Sequence, residues 1–163
     1  MGLREADAVR QYQYFPAKTT ACFNLVIVHG MQEHGRRYRA FANYLSEQGG
    51  NVISFDLPGH GIEKISDQLG DFGTDGLSSS FTAISEFFQS FANDLPNVLF
   101  GHSMGSALAL RYAEQYQHVA LLILCGLPVN PVWMPTSRLS SCTLRAAFTC
   151  HQAFNILTTI QNL

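Results

Sequence analysis

Short, largely apolar runs alternate along the chain with longer stretches in which apolar residues recur every three or four positions. The short runs are residues 25–28, 52–55, 98–100 and 121–125, rich in Val, Ile, Leu and Phe and closed by turn-forming residues. They predict strands buried on both faces. Between them, Phe41, Ala42 and Leu45 mark one face of a helix over residues 38–48, which stops before Gly49 and Gly50. Ile84, Phe87, Phe88 and Phe91 mark a second over residues 81–92, and a third is predicted over residues 104–116. Doubly buried strands alternating with helices require a parallel sheet covered on both sides, so the predicted fold class is α/β, a mostly parallel sheet with flanking helices.

Two segments depart from this rhythm. Residues 61–80 contain Gly70, Gly73, Gly76 and three consecutive Ser, which is turn chemistry, and predict a long surface loop. From residue 130 to 163 the chain has Arg138 and Arg145 but no acid, opens with Pro131, Trp133 and Pro135, and then spaces Leu144, Phe148, Phe154, Leu157 and Ile160 at helical intervals. This predicts one or two amphipathic helices outside the sheet. No internal repeat interrupts the pattern.

Composition narrows the function classes. A chain of 163 residues with 47% hydrophobic and 13% charged residues is too apolar to be disordered, and its length matches one domain. Ten basic against twelve acidic residues give a net charge of −2, without the basic surplus on which nucleic-acid affinity depends. Nucleic acid is excluded as an expected partner. Cys22, Cys125, Cys142 and Cys150 form no C-x-x-C pair and match no zinc or disulfide framework, so reduced thiols and no metal or cofactor are expected. The opening MGLREADAVRQ has charges of both signs, no apolar signal-like core, and Ala6 where a myristoylation signal needs Ser or Thr. The longest apolar stretch, residues 119–127, is far shorter than the roughly 18 to 20 residues a membrane span needs. A cytoplasmic location is expected, with contact at a membrane surface as its one variation.

The chemistry-bearing motif is G-H-S-M-G, Gly101 to Gly105, set between the run NVLF and a helix-forming run. In a chain of this composition G-x-S-x-G is expected by chance about 0.1 times, and requiring a strand before and a helix after lowers that further. A sharp strand-to-helix turn would hold Ser103 in strained backbone at its tip, with flanking glycines where side chains would collide with neighbouring elements. The hydroxyl would then stand at a helix N-terminus, whose dipole favours the anion formed in acyl transfer. The plainer alternative is a helix N-cap in which the Ser103 side chain bonds its own helix.

Upstream, His29-Gly30-Met31 ends another apolar run. An H-G pair there fits the second half of an oxyanion hole, with the backbone N–H groups of Met31 and Met104 converging on a carbonyl oxygen, against the alternative of a simple strand-ending turn. His102 is expected to pack structurally, Glu33 and His34 to hold the shape of their loop, and Asp56 and His60 to shape the turn at D-L-P-G-H-G.

Taken together, VIVHGMQEHGRRYRAFANYLSEQGGNVISFDLPGHG and NVLFGHSMGSALALRYA resemble the monoacylglycerol lipase and lysophospholipase group of the α/β-hydrolase fold, also grouped with serine aminopeptidase-like hydrolases. The resemblance covers residues 25–128. It implies ester cleavage on single-chain glycerolipids by a metal-free Ser-Asp-His triad, under a lid near the membrane. Ser103 matches the nucleophile, and Met31 and Met104 match the oxyanion-hole backbones. Residues 1–128 then correspond to the N-terminal part of the hydrolase core and 129–163 to the start of the lid.

In this fold the triad runs Ser, then acid, then His along the chain. After Ser103 come one acid, Glu114, and two histidines, His118 and His151. Glu114 would lie about 16 Å along the helix from the nucleophile, His118 at that helix's far end, and His151 in the presumed lid. The expectation is that triad acid and His are absent, that the sheet is incomplete at its C-terminal end, and that the chain is a fragment or isoform of a serine ester hydrolase. A non-catalytic product binding a partner through an exposed edge at residues 121–125 is the competing expectation.

Overall fold

The computed structural model describes residues 11–61 and 70–128, together with the backbone strand Arg145–Phe148. In chain order the elements are β1 (Tyr12–Phe15), β2 (Phe23–Val28), a 3-10 turn (Gly35–Tyr38), α1 (Arg39–Glu47), β3 (Gly50–Phe55), α2 (Gly76–Ser90), β4 (Asn97–His102), α3 (Met104–Gln115), β5 (Leu121–Cys125) and β6 (Arg145–Phe148). The strands form one sheet in the order β1-β3-β2-β4-β5-β6, parallel throughout except for antiparallel β1.

Strands β2, β3, β4 and β5 each feed both faces. Leu25, Ile27, Val52, Val98, Phe100, Leu121 and Ile123 pack with Ala42 and Leu45 of α1 on one side. Val26, Val28, Phe55, Leu99, Leu122 and Leu124 pack with Phe81, Ile84 and Phe88 of α2 and with Ala109 and Tyr112 of α3 on the other. Every residue of β2 and β5 is buried, and all but Asn24 of β2 are apolar, which is why these strands read as apolar runs.

Three features differ from the sequence reading. Strand β1 was not anticipated: Tyr12 and Tyr14 are half exposed, so the segment has the alternation of an edge strand instead of a buried run. Helix α2 begins at Gly76, inside the expected loop, because the serines serve the helix; Ser80 is fully buried and its hydroxyl donates to the Gly76 carbonyl at 2.6 Å. Backbone strand β6 pairs in parallel register with β5, Leu121 opposite Arg145 through Leu124 opposite Phe148, where amphipathic helices were expected. The edge of β5 is therefore covered and offers no bare strand to a partner. The rest of the presumed lid, with His151, lies outside the described residues.

Candidate active site

The C-terminal ends of β2 and β4 are neighbours, Val28 lying opposite Gly101, so the loops that leave them meet. At the end of β4 the chain turns sharply into α3. Ser103 sits at that turn with φ 51° and ψ −121°, a conformation that L residues rarely adopt and that costs on the order of 1–3 kcal/mol. Its N–H donates to the Cys125 carbonyl at 2.8 Å, anchoring the turn to the end of β5, and its own carbonyl accepts from the Ser106 N–H at 2.9 Å.

The backbone here is not that of a helix cap, which is extended, and the Ser103 side chain makes no capping bond to α3. This removes the N-cap alternative. The glycines fit the same picture by close approach: a Cβ on Gly105 would lie 2.2 Å from the Val28 carbonyl oxygen and 2.3 Å from that of His29, and one on Gly101 would lie 2.4 Å from the Gly105 oxygen.

The turn after β2 comes equally close. A Cβ on Gly30 would stand 3.2 Å from Ser103 Cβ, so no side chain separates the two loops. His29, fully buried, accepts the Leu57 N–H at Nε2 (3.0 Å), which leaves the proton on Nδ1 to donate to the Gly30 carbonyl at 2.7 Å. Because a trans peptide is planar, holding the Gly30 carbonyl toward the imidazole directs the Met31 N–H of the same peptide unit away from it. Neither the Met31 nor the Met104 N–H has an acceptor among the described residues, and Met104 opens α3, where the helix dipole is positive.

Glu33 gathers four donors from this region. Its Oε2 accepts the Gly30 N–H at 2.9 Å, the Tyr38 hydroxyl at 2.7 Å and His102 Nδ1 at 3.2 Å, while Oε1 pairs with Arg37 Nε at 3.1 Å. Burial alone would raise the carboxyl's pKa, but the bonds from Tyr38, Gly30 and His102 outweigh it and hold it below the ordinary Glu range. Burial together with the Glu33 bond pushes the Tyr38 hydroxyl up, so it remains a donor. Asp56 secures the same loop further on, accepting the Gly35 N–H at 2.6 Å, and His60 Nδ1 donates to the Pro58 carbonyl at 2.9 Å.

Glu114 pairs with Arg111 at 3.2 Å near the far end of α3, and His118 Nε2 meets the Tyr112 hydroxyl at 2.8 Å. No imidazole among the described residues is hydrogen-bonded to the Ser103 hydroxyl. No group of three metal-ligating side chains occurs among them either. The structure places Ser103 at a sharp strand-to-helix turn with the Gly30 turn against it, and it also brings together Glu33 and His102, which sequence reasoning did not connect and which the pairing of β2 with β4 makes neighbours.

A parallel sheet with a strained serine between its strand and helix defines an α/β-hydrolase. Residues 20–159 match the family described as serine aminopeptidase, S33, and the chain belongs to that family. A monoacylglycerol lipase of Mycolicibacterium smegmatis is 30% identical over 117 residues, 65% of this chain and 38% of its own length. The solved carboxyl esterase of Bacillus coagulans, in complex with glycerol, is 31% identical with a TM-score of 0.62, over 72% of this chain and 39% of that one. A soluble variant of the Saccharomyces cerevisiae monoglyceride lipase, at 21% identity, shares the fold with a TM-score of 0.65 over 71% of this chain and 40% of that one. The chain spans 9% to 38% of the length of the curated relatives it matches.

Proposed function

We propose that this chain carries the nucleophile and oxyanion half of a serine carboxylic-ester hydrolase acting on a monoacylglycerol or lysophospholipid. The observation that carries the reading is Ser103, strained at φ 51°, together with two backbone N–H groups, those of Met31 and Met104, that have no acceptor among the described residues. Ser103 Oγ attacks the ester carbonyl carbon. The carbonyl oxygen becomes an alkoxide, which accepts both N–H groups at the positive end of α3; each such donor contributes on the order of 10² to 10³ in rate. The hydroxyl proton passes to a general base, and as the tetrahedral intermediate collapses the base returns that proton to the departing glycerol-bearing oxygen, releasing the alcohol and leaving an acyl-serine.

Since no imidazole among the described residues is bonded to that hydroxyl, the base is a residue from outside them. The lipid ester as substrate class is supported by the names of the similar lipases. Action in the cytoplasm with contact at a lipid surface is part of this reading, since single-chain glycerolipid esters gather at such surfaces. Among the described residues no helix is long and apolar enough to cross a membrane.

Labelling with a fluorophosphonate probe tests the nucleophile. The intact chain should label and Ser103→Ala should not; equal signals from both would reject the assignment. Fatty-acid release from a panel of monoacylglycerol, lysophospholipid, amide and thioester then fixes the bond cleaved.

A further inference from the structure

We infer that Glu33 is a positioning residue that selects which amide of the Gly30–Met31 turn faces the nucleophile and locks that turn to the elbow. This rests on the oxyanion role proposed for Met31. The turn offers two adjacent N–H groups, and an oxyanion would be served by either. Glu33 Oε2 takes the Gly30 N–H at 2.9 Å, and the Glu33 N–H in turn reaches the Gly30 carbonyl at 3.3 Å, closing a reciprocal ring around Gly30. Of the two, the Met31 N–H is the one left without an acceptor among the described residues, and so open to a substrate.

The same oxygen reaches across to β4 through His102 Nδ1 at 3.2 Å, and His102 immediately precedes Ser103. One carboxylate thus bridges the donor-bearing turn and the nucleophile-bearing turn. A Cβ placed on Gly30 would lie 3.2 Å from Glu33 Oε2, from His102 Nδ1 and from Ser103 Cβ alike, which shows how tightly the three converge. Tyr38 and Arg37 hold the carboxylate from the far side at 2.7 and 3.1 Å, so its direction is set by the 3-10 turn. Charged hydrogen bonds of this kind are both shorter and stronger than neutral ones.

Glu33→Gln keeps the shape while removing the charge and placing an amide donor against the donors that Glu33 now accepts. Asp56→Asn is the control, because Asp56 secures the same loop at Gly35 without touching Gly30 or His102. At temperatures giving both variants the same folded fraction, the fluorophosphonate labelling rate should fall 10- to 100-fold in Glu33→Gln and stay within about twofold of the parent in Asp56→Asn. Equal losses in both would mean that Glu33 only stabilises the loop, and overturn the proposal.

Amide hydrogen exchange and ¹⁵N chemical shifts provide a reading independent of labelling. The Gly30 amide should lose protection and the Met31 and Ser103 amides should shift in Glu33→Gln; unchanged Gly30 and Met31 signals would overturn the proposal. Should the parent not label at all, the amide signals still decide the positioning role.

Discussion

At the scale of single residues the elbow is defined by what cannot be placed there. Gly105 lies where β2 ends, and its missing side chain is what allows α3 to descend onto the Val28 and His29 carbonyls. Those contacts are backbone, which cannot rotate aside. Gly105→Ala should therefore destabilise the fold by on the order of 3 kcal/mol, read as a lowered urea midpoint, with larger side chains preventing folding. This was legible in the sequence, because G-x-S-x-G encodes the collisions as glycines. The Glu33 network was not: Glu33 and His102 lie 69 positions apart, and only strand pairing reveals that one carboxylate serves both.

At the scale of elements, strands β2, β4 and β5 were legible because burial on both faces leaves each with an uninterrupted apolar run, Leu25 to Val28, Val98 to Phe100 and Leu121 to Cys125. Strand β1 and the first turn of α2 were hidden for opposite reasons. The one has a half-exposed edge whose tyrosines lean on α2, Tyr12 meeting Phe87 at 5.4 Å between ring centres. The other is written in Gly and Ser, residues that favour turns until tertiary burial overrules them.

The link between β2 and the loop after β3 is His29, whose Nε2 must be unprotonated to accept the Leu57 N–H. Burial lowers its pKa, more than the Gly30 bond and neighbouring carboxylates raise it. The folded chain thus keeps His29 neutral where the unfolded chain would take a proton, so its contribution is intact above about pH 6.5 and is lost as the pH falls below that. Stability should therefore decline as the pH falls from about 6.5 toward the lower folded-state value. Urea titrations at pH 7.5 and 5.5 check this, and His29→Asn should flatten the dependence.

At the scale of the whole molecule, the sheet is a frame that brings loops from different strands to one end. Its fold class and its order of apolar strands could be read from periodicity, whereas the pairing of β6 with β5 could not, since Ala and Phe at Arg145–Phe148 fit a helical spacing equally well. Global stability is also where the backbone of Ser103 registers. A glycine would accept φ 51° and ψ −121° without strain, so Ser103→Gly should raise the free energy of unfolding by on the order of 1 kcal/mol above that of Ser103→Ala. Denaturant titration of the two variants measures the difference directly. The serine is thus a position where the most durable sequence and the one proposed to be reactive diverge, and selecting variants of this chain for heat resistance alone would be expected to erase the proposed nucleophile early.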